Sequence, residues 1–271
     1  MIKKITPVLA TAVLLVPTAA HARTTPAVMA ALGDSISAGF NACGWYVACT
    51  SRSWSAGDSS SVNSHYLRLL AMGSAIKGHN LNFAVPGATS ADLAGQARKA
   101  VEAGAGYVTV LIGAQDACVG TEKEMTPVGA FRRNVDAAFD MLRPAGARVY
   151  VASIPDVKRL WQVGKDNGWA RVFWGIGHIC QSMLANPKST AKKDEARRDR
   201  VRERVMDYNE QLRQACESYG PACRYDGGAV FSYPFTLKQV SAWDYFHPNA
   251  DGQKALAKIT FDAKFFADVE P

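Results

Sequence analysis

Short apolar runs alternate along this chain with stretches whose apolar residues recur at helical spacing. Ala27 to Leu32, Leu81 to Val85, Tyr107 to Ile112 and Arg148 to Ala152 are compact, partly β-branched and bounded by Gly, Pro or Ser. That is the pattern of strands buried on both faces. Tyr225 to Phe231 is a candidate fifth strand. Between these runs, Ser64 to Lys77, Ser90 to Ala103 and Val128 to Leu142 read as helices. The rhythm predicts a three-layer α/β/α sandwich around a mainly parallel, flavodoxin-like sheet of about five strands. Ligands of such sheets sit beyond the carboxyl ends of the strands.

The polar punctuation falls at those ends. Gly33-Asp34-Ser35 follows the first run, Pro86-Gly87-Ala88 the second, and Gly113-Ala114-Gln115-Asp116 the third. Three loops should therefore share one rim, with Ser90 rather than Asp92 expected to cap the next helix. Residues 156 to 190 fit the rhythm poorly. Trp161, Trp169, Phe173, Trp174 and Ile176 crowd there among four glycines, which suggests a bent insertion near the cleft. It either packs on the body or walls the cleft, and packing is the commoner role of aromatic clusters. Farther on, Val201, Val205, Tyr208, Leu212, Ala215 and Tyr219 step by four and three, one apolar stripe of a long helix. A last helix is expected from Asn249 to about Phe266. One domain, 23–271, accounts for the pattern.

Composition adds a compartment. Lys3 and Lys4, the apolar run Val8 to Leu15 and Ala20-His21-Ala22 have the form of an export signal over residues 1–22. No later run approaches the roughly 20 apolar residues of a membrane span, so a secreted protein without integral membrane association is expected. Six cysteines in an exported chain imply three disulfides. Neighbours in sequence are the expected pairs: Cys43 with Cys49, Cys118 with Cys180, and Cys216 with Cys223. The formal charge is +7, two lysines of which lie in the leader. The basic residues of Lys192 to Arg204 are interleaved with acids and lack interspersed aromatics, so no nucleic-acid partner is expected.

The chemistry rests on two distant stretches, Leu32-Gly33-Asp34-Ser35 and Trp243-Asp244-Tyr245-Phe246-His247-Pro248-Asn249. A serine hydroxyl becomes a good nucleophile when an imidazole takes its proton and a carboxylate fixes that imidazole. Asp244 and His247 lie three apart, within one turn. Each residue also has a plain reading: Ser35 as a helix cap, His247 as a helix-start residue. Taken together with Asn82-Phe83-Ala84-Val85-Pro86-Gly87-Ala88 and Gly113-Ala114-Gln115-Asp116, the four blocks resemble the SGNH hydrolases, the GDSL esterase and lipase family, over essentially the whole mature chain.

The resemblance implies that Ser35 is the nucleophile, His247 the general base and acid, and Asp244 its orienter. It also implies an oxyanion hole from the backbone N–H groups of Ser35 and Gly87 and the side-chain amide at position 115. Here the chain departs from the family, which has Asn where this sequence has Gln115. One extra methylene shifts a donor whose distance decides its worth. The expected activity is a cofactor-free and metal-free carboxylester hydrolase working through an acyl-serine, on a small-molecule or lipid ester, as a monomer. An acyltransferase on the same residues, or a ligand-binding protein weakened by Gln115, are the alternatives. Asp34, Ser37 and Asp116 are expected to be structural, and His65, His79 and His178 are given no role.

Overall fold

The computed structural model describes residues 26–266, so the expected leader, residues 1–22, lies outside the described residues. Strands β1 (Met29–Gly33), β2 (Asn80–Asn82), β3 (Tyr107–Leu111), β4 (Arg148–Val151) and β5 (Cys223–Tyr225) form one parallel sheet in the order β2-β1-β3-β4-β5. In register, Met29 lies opposite Asn80 on one side and Tyr107 on the other, and Val149 opposite Cys223. β1 and β3 are buried throughout because strands flank them and helices cover them. β2 and β5, at the edges, carry Asn and Arg and are partly exposed.

The helices are α1 (His65–Met72), α2 (Leu93–Glu102), α3 (Ala114–Ala117), α4 (Val128–Leu142), α5 (Val157–Gly164), α6 (Gly168–Ile176), α7 (Gln181–Leu184), α8 (Lys192–Tyr219), α9 (Ala229–Ser232) and α10 (Ala250–Thr260). α2, α4 and α8 pack side by side as one layer. The whole stripe from Val201 to Tyr219 on α8 is buried, and Tyr208 stacks on Phe131 of α4 at 4.3 Å. α1 and α10 belong to the other layer. His65 joins them to the sheet, with Nδ1 on the Tyr107 hydroxyl and Nε2 on the Thr260 hydroxyl, each at 2.7 Å. Burial pushes this imidazole down to about 3, so it stays neutral and structural.

Several boundaries differ from the sequence reading for local reasons. The fifth strand occupies Cys223–Tyr225 rather than Tyr225 to Phe231. Asp226 ends it, accepting the Gly228 and Val230 N–H groups at 2.8 and 3.0 Å, while Gly227 and Gly228 take positive φ and start α9. Ser90 does not cap α2. Thr89 and Asp92 form a capping box on the 3₁₀ turn Ser90–Asp92 that leads into α2, Asp92 stands at the N-cap of α2, and the Ser90 hydroxyl donates to Asp116 at 2.7 Å. α1 stops at Met72, with Gly73 as its C-cap, and α10 at Thr260, each followed by a single 3₁₀ turn.

Three disulfides tie this framework: Cys43 to Cys49 in the loop after β1, Cys118 to Cys180 between the loop after β3 and α7, and Cys216 to Cys223 between α8 and β5. Residues 156–190 fold mainly as α5 to α7. Trp174 is fully buried and its indole N–H donates to the Tyr245 carbonyl at 2.9 Å. No helix among the described residues is long and apolar enough to cross a membrane.

Candidate active site

The sheet order reverses between β1 and β3, and the crevice at such a switch point is where open parallel sheets hold ligands. Ser35 follows β1 and Gln115 follows β3, so they face each other across it. At Gly33 the backbone takes φ +134°, and a Cβ there would meet the Leu111 carbonyl oxygen at 2.0 Å. Only glycine lets the chain turn here. Two buried glutamines then fix the turn. Gln96 accepts the Gly33 N–H at 2.7 Å and donates to its carbonyl at 2.9 Å, and Gln253 of α10 donates to the Ile36 carbonyl at 2.9 Å. Ser35 heads no helix; its carbonyl accepts the Phe40 N–H within a run of turns. The helix-cap reading of Ser35 is thereby removed.

The Ser35 hydroxyl lies 2.8 Å from His247 Nε2, and His247 Nδ1 lies 2.6 Å from Asp244 Oδ2. Residues 212 positions apart meet because α10, which follows His247, is clamped to the Ser35 loop through Gln253. Asp244 Oδ1 accepts the N–H groups of Phe246 and His247 at 2.8 and 3.0 Å, and Oδ2 also accepts from the Asn41 amide. Burial works to raise this carboxyl's pKa. The His247 hydrogen bond and charge, then the two backbone N–H groups, outweigh it, so Asp244 titrates below the usual carboxylate range. Phe40 and Phe246 each set a ring edge-on to the imidazole at 4.9 Å. Such a hydroxyl, with its proton acceptor in contact and that acceptor oriented by an anion, can attack an acyl carbon.

Gly87 borders the same recess as Ser35 and Gln115. Its φ is +84°, while a Cβ there would meet nothing within 4 Å. The backbone turn itself therefore favours glycine here, and the space beside it is open to the recess. Gln115 stands in α3, with Nε2 donating a long 3.4 Å bond to the Cys118 carbonyl. The longer side chain thus leans along its own turn, toward the residue that Cys180 tethers. Asp34 is 1% exposed and burial pushes it up to about 7, against the N–H groups of Ile36 and Ala114. Asp116 accepts from the Ser90 N–H and hydroxyl and is likewise raised by burial.

Two spaces open from the serine. An apolar cleft is lined by Ile36, Val157, Leu160, Val163, Phe235 and Phe246. A second, more open recess lies toward Phe40, Gly87, His178 and Ile179. The segment 156–190 therefore both packs, through Trp174, and walls the cleft, through α5. Asn41, Gln96 and Gln253 were not singled out by sequence. Nothing local distinguishes them, since their partners lie 203, 63 and 217 positions away.

With this geometry in hand, comparison with known proteins is decisive about kinship. The model of the GDSL-like lipase/acylhydrolase family matches residues 31–255. The chain belongs to that family. An alpha/beta hydrolase enzyme from the metagenome of Lake Arreo, Spain, superposes with a TM-score of 0.54 at 18% identity, covering 85% of this chain and 91% of that one. A catalytic mutant of an acetylxylan esterase from Geobacillus stearothermophilus gives 0.51 at 13% identity, covering 85% and 90%. At such identities the likeness is one of fold. No curated protein sequence matches. Membership makes the chain a hydrolase of the GDSL, or SGNH, type, and its three disulfides fit an oxidising compartment.

Proposed function

We propose that the protein is an exported carboxylester hydrolase that works through an acyl-Ser35 intermediate. The observation that carries this is the continuous run Ser35 Oγ, His247, Asp244, with contacts of 2.8 and 2.6 Å, at the mouth of an apolar cleft. Ser35 Oγ attacks the ester carbonyl while His247 Nε2 takes its proton. Asp244 holds the Nδ1 proton and stabilises the imidazolium. The negative oxygen of the tetrahedral intermediate is placed against the Ser35 and Gly87 N–H groups and the Gln115 amide. His247 then returns the proton to the departing alcohol, and water, activated by the same imidazole, releases the acid. The acyl chain is assigned to the cleft beside α5, whose lining is mostly apolar and reaches Ser35 and His247.

The test is turnover of a series of p-nitrophenyl esters. Ser35→Ala should abolish it, and the wild type should prefer chains longer than acetyl. Undiminished turnover in the variant would sink the assignment; a profile peaking at acetate would remove the acyl chain from the α5 cleft. Product analysis with added alcohols separates hydrolysis from transfer.

A further inference from the structure

Around a further recess that reaches His247, apolar side chains that the hydrolytic chemistry does not use stand exposed. On one lip, the disulfide-closed loop from Cys43 to Cys49 presents Trp45, which is 73% exposed, with Tyr46 and Val47 beside it. Trp45 lies against Trp243 at 4.6 Å, and the Tyr46 hydroxyl donates to the Trp243 carbonyl. On the other lip, α6 is apolar on two faces. Ala170 and Trp174 face the core, while Trp169, Val172 and Ile176, spaced by three and four, face solvent, Ile176 at 79% exposure. A recess lined by Phe40, Tyr46, Phe173 and Ile179 joins the lips and ends at Asp244 and His247.

Scattered exposed apolar residues need no explanation, whereas a contiguous set around a cleft marks an interaction site. Backbone strain accompanies it here. Trp45 and Tyr46 are consecutive non-glycine residues in the left-handed region, at φ +64° and +53°. Such conformations cost free energy and persist where the surroundings enforce them, often at functional sites. Here Asn41 holds the Tyr46 N–H at 2.8 Å and the disulfide closes the loop, yet the Trp45 ring gains little burial.

Charge selects the partner. Residues 40–57 and 167–180 contain Arg52, Arg171 and His178 and no Asp or Glu. The acid just ahead of α6, Asp166, is paired with Lys188 at 3.0 Å. Tryptophan and tyrosine with flanking cations suit the headgroup level of a bilayer, where an amphipathic ring keeps one end apolar and one end wet. The lips also lead to His247, whose Nε2 lies 2.8 Å from the Ser35 hydroxyl, so whatever docks on them is placed to deliver an ester there. A small water-soluble ester would use the cleft and leave both lips idle.

We propose that the Cys43–Cys49 loop and the outer face of α6 form a docking surface for an anionic acyl-lipid surface, from which the ester enters the cleft. The purpose of docking rests on the ester-hydrolase reading, but its occurrence does not. The mature Ser35→Ala protein, which cannot consume the lipid, is co-sedimented with vesicles of equal parts phosphatidylglycerol and phosphatidylcholine, and with phosphatidylcholine alone. It should bind the anionic vesicles more tightly. Adding W45S and W169S should weaken that binding by about tenfold or more, the loss expected on withdrawing two large apolar side chains. With Ser35 intact, the same pair of substitutions should leave p-nitrophenyl acetate turnover unchanged. Absence of vesicle binding, or equal binding with and without the two tryptophans, would overturn the proposal. Equal binding to neutral vesicles would overturn its anionic part. Self-association in sedimentation velocity that the two substitutions abolish would assign the lips to a second copy instead. Vesicle binding without turnover of any ester by the wild type would sink the hydrolase reading and leave docking standing.

Discussion

Asn41→Ala tests whether Asp244 depends on a partner 203 positions away. Asp244 is 2% exposed, and its carboxylate is held by four donors: the Asn41 amide, His247 Nδ1, and the backbone N–H groups of Phe246 and His247. Removing one leaves a buried anion short of a donor. A hydrogen bond to a charged group contributes about 1.5–3 kcal/mol. If that loss falls on the transition state, in which His247 is positive and leans on Asp244, kcat should fall by roughly 10- to 150-fold at 1.36 kcal/mol per decade. KM should stay within about twofold, because Asn41 does not border the cleft beside α5. Asn41 also accepts the Tyr46 N–H, so Asn41→Asp is the companion variant. It keeps that acceptor and turns a carboxylate toward Asp244, and it should lose at least as much. Steady-state kinetics on p-nitrophenyl butyrate, well below the melting temperature of each variant, reads both. Wild-type kcat in Asn41→Asp would refute the reasoning.

Three further outcomes follow from other parts of the site. Gln115→Ala should lower kcat by about 100- to 1,000-fold with little change in KM; a loss under threefold in the same assay would mean that the amide is committed to the Cys118 carbonyl. Asp34 titrates near 7 when folded against an ordinary value of 3.8. Between those values the folded chain keeps a proton that the unfolded chain has released, so its contribution to stability falls as pH rises from about 4 to 7. Urea midpoints across that window should decline less in Asp34→Asn than in the wild type, and parallel profiles would contradict this. Opening Cys118–Cys180, separated by 62 positions, should cost about 4 kcal/mol, against about 2.5 kcal/mol for Cys216–Cys223, separated by 7. Denaturant midpoints of the paired Ser variants give the order, and the reverse order would count against the chain-entropy account.

The sheet and its loops were legible because buried parallel strands read as continuous apolar runs with glycine or polar breaks at their ends. Tyr107–Leu111 and the Val201-to-Tyr219 stripe declare themselves in that way. The fifth strand was misplaced because Ala229 to Phe231 is as apolar as a strand, while Asp226 and the two positive-φ glycines decide otherwise. Ser90 looked like a cap since serine favours that position, but buried Asp116 competes for its hydroxyl and wins. Ser35, Asp244 and His247 could be named from spacing and family likeness. Asn41, Gln96 and Gln253 could not, because each acts on a residue brought near only by the fold. The aromatic cluster around Trp169 and Trp174 was visible, yet only the helix axis sorts Trp174 inward and Trp169 outward.

The central claim is that Ser35 carries the acyl group. Incubation with an activated phosphonate ester, followed by intact mass and peptide mapping, tests it most directly. One adduct per chain, on the peptide containing Ser35, with activity lost in proportion, is the expected result. An adduct elsewhere, or full inhibition with Ser35 unmodified, would contradict it.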